Sequence, residues 1–209
     1  MHKLILITLV GYLIGSIPFG LIVTKLVKGV DIREFGSGNI GATNAYRVMG
    51  FGMGLLVALL DIGKGAVAVY IAKLYSVSYY GEEVALFILV VGIAAIAGHN
   101  LSIFLKFNGG RGVATSVGVL GNLALVPIII TALLWITIIL LTKYVSLASI
   151  TGAVAVPILM LIFSKPTEYV IFCFLISAFV IYSHKPNIKR LLNGNENKVE
   201  WHTTGKYDD

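Results

Sequence analysis

The stretch Val113-Ala114-Thr115-Ser116-Val117-Gly118-Val119-Leu120-Gly121-Asn122-Leu123 decides the topology of the chain. It is apolar but short and dotted with glycine, so hydropathy alone does not say whether it crosses a membrane. A crossing helix needs about 20 apolar residues. Six other runs reach or approach that length: 4–27, 51–74, 84–98, 125–142, 147–163 and 169–182. The first is interrupted only by Ser16 and Pro18. It is too long for a signal peptide and runs into Thr24-Lys25 without a small-residue cleavage pattern, so it reads as a retained span.

Composition removes the soluble alternatives. The 209 residues are 57% hydrophobic and 12% charged, with a mean hydropathy of +0.92. A soluble domain carries roughly 25% charged residues, and disorder requires low hydrophobicity. Cys173 is the single cysteine, which excludes an intrachain disulfide. His2, His99, His184 and His202 show no metal-binding spacing, so neither a metal nor another cofactor is expected.

Charge placement resolves the topology, because cytoplasmic loops collect Lys and Arg. Segment 25–50 holds Lys25, Lys28, Arg33 and Arg47; segment 99–112 holds Lys106 and Arg111; Lys143 follows, and five Lys or Arg lie beyond His184. The connection near 76–83 carries Glu82 and Glu83 instead. The basic segments share one side only if 113–123 is itself a short span. The expectation is therefore an all-α integral membrane protein with seven transmembrane helices, the N-terminus outside and the C-terminus cytoplasmic. Residues 1–191 form a single transmembrane domain, and 192–209 a polar tail expected to be mobile. On this topology the whole surplus of +6 faces the cytoplasm.

Two polar segments carry the chemistry. In Gly36-Ser37-Gly38-Asn39-Ile40-Gly41-Ala42-Thr43-Asn44, alternating small residues let backbone N–H groups converge into an anion-binding concavity. Ser37, Thr43 and Asn44 offer side-chain donors, Arg47 a planar fork suited to phosphate. A helix starting near Thr43 would aim its positive end at the same anion. A plain re-entrant turn is the alternative. The segment from His99 through Lys106 to Gly109-Gly110-Arg111-Gly112-Val113-Ala114-Thr115 repeats the recipe, so two phosphates could be held near each other. Asp61 and Lys64 share a helix face within a span; they are either a mutually neutralised pair or part of a substrate site. Ser146 reads first as a helix cap. His184 at a membrane boundary gains interest from Asn187 and Arg190, which follow it.

These blocks resemble the family of membrane acyl-phosphate:glycerol-3-phosphate acyltransferases, usually called PlsY. Its G-S-G-N-x-G-A-T-N…R block is matched by 36–44 with Arg47. Its G-H…F…F-x-G-G-K-G-x-A-T block is matched by Gly98, His99, Phe104, Phe107 and 109–115. A serine-bearing turn is matched at 145–149. A closing H-x-x-N-I-x-R-L…G-x-E block is matched by His184, Asn187, Ile188, Arg190, Leu191, Gly194 and Glu196. Arg111 stands where the family more often has Lys, and Asn100-Leu101-Ser102 where many members place a proline. The resemblance implies acyl transfer from acyl phosphate to the 1-hydroxyl of sn-glycerol 3-phosphate, giving lysophosphatidic acid and phosphate, the first acylation of phospholipid synthesis. It also implies a bacterial inner-membrane location with a cytoplasmic-facing site.

On that reading the partners are the two substrates, membrane lipid and a peripheral enzyme that makes acyl phosphate; nucleic acid is not among them. The 36–44 loop is assigned to the acyl-phosphate head group. Arg47, Lys106, Ser146, His184 and Asn187 are assigned mainly to glycerol 3-phosphate and catalysis. His99 and the 109–115 segment are expected to bind substrate. No histidine has an Asp five positions later, so the hydroxyl proton goes to His184, to His99 or, as we favour, to a donor phosphate oxygen. The competing class is a membrane transporter of a phosphate-bearing metabolite, disfavoured because no inverted repeat is visible.

Overall fold

A computed structural model of the chain describes residues 2–76 and 82–200. Among these residues there is no strand, and ten α-helices are present. They are α1 (His2–Ser16), α2 (Phe19–Lys28), α3 (Ala42–Met49), α4 (Phe51–Ser76), α5 (Glu82–Asn100), α6 (Val113–Gly121), α7 (Leu125–Thr142), α8 (Val145–Ile162), α9 (Thr167–Ser183) and α10 (Lys185–Leu192). Five segments are long and apolar enough to cross a membrane: Leu4–Lys28, Phe51–Ser76, Val84–Leu105, Leu125–Thr142 and Val145–Ile162. A sixth results if α9 and α10, bent by 59°, count as one. Helix α6 has nine residues, about 14 Å at 1.5 Å per residue, roughly half of the hydrocarbon core. It does not qualify as a span on length. Residues 77–81 of the expected outer connection lie outside the described residues, as do 201–209.

By their contacts the described residues group into two compact units, divided in the chain between Val119 and Leu120. In the first unit, the span 4–28 is broken at Ile17-Pro18, since proline has no N–H to continue the helical ladder. The carbonyls left over at the break find partners on neighbouring elements. Ser102 Oγ donates to Ser16 O at 2.6 Å, and Lys64 Nζ donates to Ile17 O at 2.9 Å. A helix break at membrane depth is tolerated on this condition.

Close approach within this unit depends on glycine. A Cβ on Gly15 would overlap the Ala95 carbonyl, and one on Gly98 would overlap the Tyr12 carbonyl, so α1 and α5 lie backbone to backbone. Likewise Gly65 of α4 faces the Thr115 carbonyl, and Gly118 of α6 faces the Ile62 carbonyl. Small residues at such contacts are how membrane helices associate when burial offers little driving force. Beneath the polar loops sits a core of Val23, Ile32, Ile40, Ala45, Val48, Met49, Val57 and Leu105.

In the second unit α7 packs on α8, where Trp135 Nε1 donates to Ser149 Oγ at 3.2 Å. The outer face of α7 exposes Leu125, Val126, Ile129, Leu133, Ile136 and Leu140, an apolar strip suited to acyl chains rather than water. The polar stretch expected to be a separate tail from residue 192 is attached as far as residue 200. Val199 N–H donates to the Lys143 carbonyl at 2.8 Å, and Lys198 Nζ lies over the Tyr144 ring.

Gly15→Leu should overpack the α1–α5 contact and cost about 1–3 kcal/mol. Gly63, with open space around its Cβ position, should accept Ala at no loss. Thermal unfolding in detergent of the two variants provides the comparison, and equal melting temperatures would contradict this packing.

Candidate active site

The 36–44 loop is built by its own side chains. Asp31 begins it by accepting from the Arg33 N–H at 3.0 Å and capping a 3-10 turn, Ile32–Glu34. The Arg33 side-chain hydrogen bonds hold the Asp31 carboxyl at about 2. Asn44 then organises the turn from within. Its Nδ2 donates to the carbonyls of Ile32 and Phe35, at 3.1 and 3.0 Å, and its Oδ1 accepts from Ser37 N–H at 2.8 Å. Gly36 has φ 60 and presses against that amide, where a Cβ would collide with Oδ1. Asn44 is 1% exposed.

The Asn44 side chain, expected as a donor to substrate, bonds the loop's own backbone here. Its amide nitrogen and oxygen both bond that backbone, so the side chain shapes the loop. Asn39 acts similarly, its Oδ1 accepting from Gly41 N–H at 2.8 Å. Ile40 is a core anchor at 3% exposure. Ser37 and Gly38 are exposed; Gly41, Ala42 and Thr43 are half-buried. Helix α3 starts at Ala42, one residue before the expected position, so the first N–H groups of that helix open beside Gly41. Arg47 is four residues after Thr43 on α3 and shares its face.

The second loop is held at its base by the end of α5. Gly109 N–H donates to the Asn100 carbonyl (2.9 Å) and Gly110 N–H to the His99 carbonyl (3.0 Å). The His99 ring lies so close to Gly110 that a Cβ there would overlap Nε2. Before this turn, Lys106 and Phe107 both have positive φ, 51 and 62, conformations that cost non-glycine residues stability. Phe107 N–H bonded to the Ser102 carbonyl at 2.8 Å, and Leu105 buried in the core, keep them there. The result leaves Lys106 exposed and Arg111 half-buried, while Gly112 and Thr115 are buried. Because Leu105 belongs to the same core as Ile32 and Ile40, the two polar loops rest on common ground.

The second unit carries a polar cluster of its own. His184, Asn187 and Ser146 are 2%, 3% and 5% exposed. His184 Nδ1 lies 2.7 Å from the Val180 carbonyl, which requires the proton on Nδ1. At the centre is Glu196, which the sequence reading matched to a family block but gave no role. Asn187 Nδ2 donates to its Oε1 and Arg190 Nε to its Oε2, each at 2.6 Å. Burial raises the Glu196 pKa, but the hydrogen bonds from Arg190 and Asn187, with the Ser146 hydroxyl nearby, outweigh it and lower the pKa overall. Ser146 is not the cap of α8. Tyr144 occupies that position, with no side-chain cap, and Ser146 Oγ is near Glu196 without a well-formed hydrogen bond. Asn187 Oδ1 is also buried without a partner.

Apolar helices long enough to cross a membrane, glycine-rich polar loops and buried, unpartnered hydroxyl and amide oxygens together define the class: a helical membrane protein with a polar site. The profile of the family described as glycerol-3-phosphate acyltransferase matches residues 5–194. A glycerol-3-phosphate acyltransferase of Carboxydothermus hydrogenoformans is 42% identical over 196 residues, covering 94% of this chain and 96% of that protein. One from Fusobacterium nucleatum is 45% identical over 192 residues, covering 91% and 95%. The crystal structure of PlsY, an integral membrane glycerol 3-phosphate acyltransferase, in its glycerol 3-phosphate form superimposes with a TM-score of 0.86 at 37% identity. It covers 95% of this chain and 96% of that one. Its lysophosphatidic acid form gives 0.85 at 36%. The chain belongs to the glycerol-3-phosphate acyltransferase family and is a membrane acyltransferase. The transporter alternative finds no support among these relatives.

Glu196→Gln should lower the melting temperature at neutral pH. A carboxylate whose folded pKa is depressed contributes stability above its unfolded value, near 4.5, and loses it as pH falls through the folded value. The difference in melting temperature between the two proteins should therefore shrink as the pH falls below about 4.5. A gap independent of pH over that range would contradict the charged state of Glu196.

Proposed function

We propose that this acyltransferase takes its acyl group from an acyl phosphate and delivers it to the 1-hydroxyl of sn-glycerol 3-phosphate at the cytoplasmic face of a bacterial inner membrane. The observation that carries the reading is the pair of glycine-built loops, 36–44 and 99–115, resting on one core. Two phosphate-bearing substrates call for two anion cradles. The names of the relatives support glycerol 3-phosphate as acceptor.

Acyl phosphate is a mixed anhydride, so its phosphate is a good leaving group without a covalent enzyme intermediate. The acceptor oxygen attacks the carbonyl carbon, the bond from that carbon to the phosphate oxygen breaks, and inorganic phosphate departs. The proton of the hydroxyl passes to an oxygen of that phosphate. What remains for the chain is orientation and charge stabilisation. We assign the donor phosphate to the 36–44 cradle with Ser37, Gly38, Gly41, Ala42 and Thr43, shaped by Asn39, Ile40 and Asn44. Arg47, Lys106, Ser146, His184 and Asn187 serve mainly glycerol 3-phosphate. His99, Gly109, Gly110, Arg111, Gly112 and Thr115 supply and support the second cradle. With Nδ1–H engaged by Val180, His184 turns Nε2 to other partners, and Asn187 Oδ1 is an acceptor for a hydroxyl hydrogen.

The same proposal includes seven passes, with α6 as a short one, the N-terminus outside and the basic C-terminal segment in the cytoplasm. It rests on the Lys and Arg distribution. An upstream peripheral enzyme supplies acyl phosphate.

Detergent-solubilised protein should form lysophosphatidic acid from palmitoyl phosphate and glycerol 3-phosphate in the presence of a strong chelator. Product from acyl-CoA alone, with none from acyl phosphate, would overturn the donor assignment. Arg47→Ala and Lys106→Ala should each cut kcat/KM by about 100-fold or more, since each removes a charged partner of phosphate. His184→Ala should raise KM for glycerol 3-phosphate with turnover still measurable. Abolished turnover with substrate binding intact would instead make His184 the base.

A further inference from the structure

Asp61 and Lys64 are charged groups at membrane depth that the reaction as written does not use. Each is 2% exposed by side chain, and Lys64 Nζ lies 2.7 Å from Asp61 Oδ1. Lys64 has a task that explains its charge: it caps the Ile17 carbonyl at the break between α1 and α2 and lies 5.7 Å from the centre of the Phe19 ring. Neutralising that ammonium would be a sufficient task for Asp61 if the carboxylate faced nothing else. It also faces His99, whose Nδ1 lies 3.6 Å from the same Oδ1 atom. His99 is 4% exposed, and Nδ1 has no hydrogen-bond partner. At that separation the carboxylate makes no hydrogen bond, but its charge favours a proton on Nδ1 and a ring orientation that faces it. The other edge of the ring bears on Gly110, where there is no room for a Cβ, and the His99 carbonyl accepts the Gly110 N–H.

We propose that Asp61 is a positioning residue for the reaction: it fixes the His99 imidazole, and through it the turn 109–112, in the shape that receives a substrate phosphate. The pair thus braces two things at once, the helix break through Lys64 and the second anion cradle through His99. This rests on the reading of that turn as a phosphate cradle. No contact of Asp61 with substrate is implied.

The test separates charge neutralisation from positioning. Asp61→Asn alone strands the Lys64 ammonium and should lose stability on either view. In D61N/K64M both charges go and only the Lys64 hydrogen bond to the Ile17 carbonyl is lost, so the double variant should melt above Asp61→Asn in detergent. Positioning requires KM for at least one phosphate-bearing substrate to remain raised by about 5-fold or more, with kcat changed less than about 2-fold. It also requires that His99→Ala, added to D61N/K64M, change KM no further than His99→Ala does by itself. Wild-type KM values in D61N/K64M, or effects that multiply with His99→Ala, would overturn the proposal. Should D61N/K64M fail to fold, Asp61→Glu takes its place. It keeps the ion pair and displaces the carboxylate by one methylene from His99, so an unchanged KM there would likewise overturn it. Arg111→Ala marks which layer fails. If it raises KM while the Asp61 variants do not, positioning is wrong and the cradle stands; if it leaves both KM values unchanged, the cradle itself is wrong.

Discussion

The first unit depends on the repair of one broken ladder. Pro18 cannot donate, so carbonyls at the end of α1 would face hydrocarbon with no partner. Ser102 and Lys64 supply the missing donors at Ser16 and Ile17. Ser102 belongs to the turn that leads to Lys106, and Lys64 to the middle of α4. The break therefore ties the entry span to the element bearing the second polar loop and to the helix bearing the buried carboxylate. Lys64 needs Asp61 because an unpaired ammonium at that depth is costly. Asp61 in turn faces His99, and His99 supports Gly110. A single missing N–H organises half of what surrounds the candidate site.

Glycine does two different things in this chain. In the helices it removes side chains so that backbones touch, as at Gly15, Gly98 and Gly118. In the loops it lets the backbone turn where a side chain would be strained or would collide, as at Gly36 against Asn44. Neither task involves the ligand directly, yet both decide where donors point. The cradle is a property of the backbone, and the side chains most buried within it, Asn44 and Ile40, form its frame.

Much of the fold was legible because hydropathy is a one-dimensional signal. The run expected at 125–142 coincides with α7, and that at 51–74 with α4 to within two residues. The start of α3 was visible from Gly41-Ala42-Thr43. What local reading missed depends on distant partners. Asn44 looked like a ligand for an anion because its amide is polar and sits in a glycine loop, but its partners are backbone groups 7, 9 and 12 residues away. Ser146 looked like a cap because it begins a polar turn, yet α8 starts at Val145. Glu196 entered only as a matched position in the closing block, and only folding reveals that Asn187 and Arg190 converge on it. The interruption at Ser16 and Pro18 was visible, but not that Lys64 and Ser102 answer it. Helix α6 shows the limit in the other direction: charge placement asks for a pass there, while its nine residues cover only part of the distance.

The attachment of Glu196 and Val199 has a consequence for how the protein is made. The second unit places Ser146 a whole helical hairpin, and Asn187 and Arg190 one short helix, before the carboxylate they converge on. Asn187 and Arg190 leave the ribosome without the acceptor for their donors, and the Lys143 carbonyl waits for an amide 56 residues later. The cluster is thus complete only once the segment carrying Glu196 and Val199 has been made. The order of synthesis therefore places α7, α8 and α9 ahead of the residues that finish the cluster.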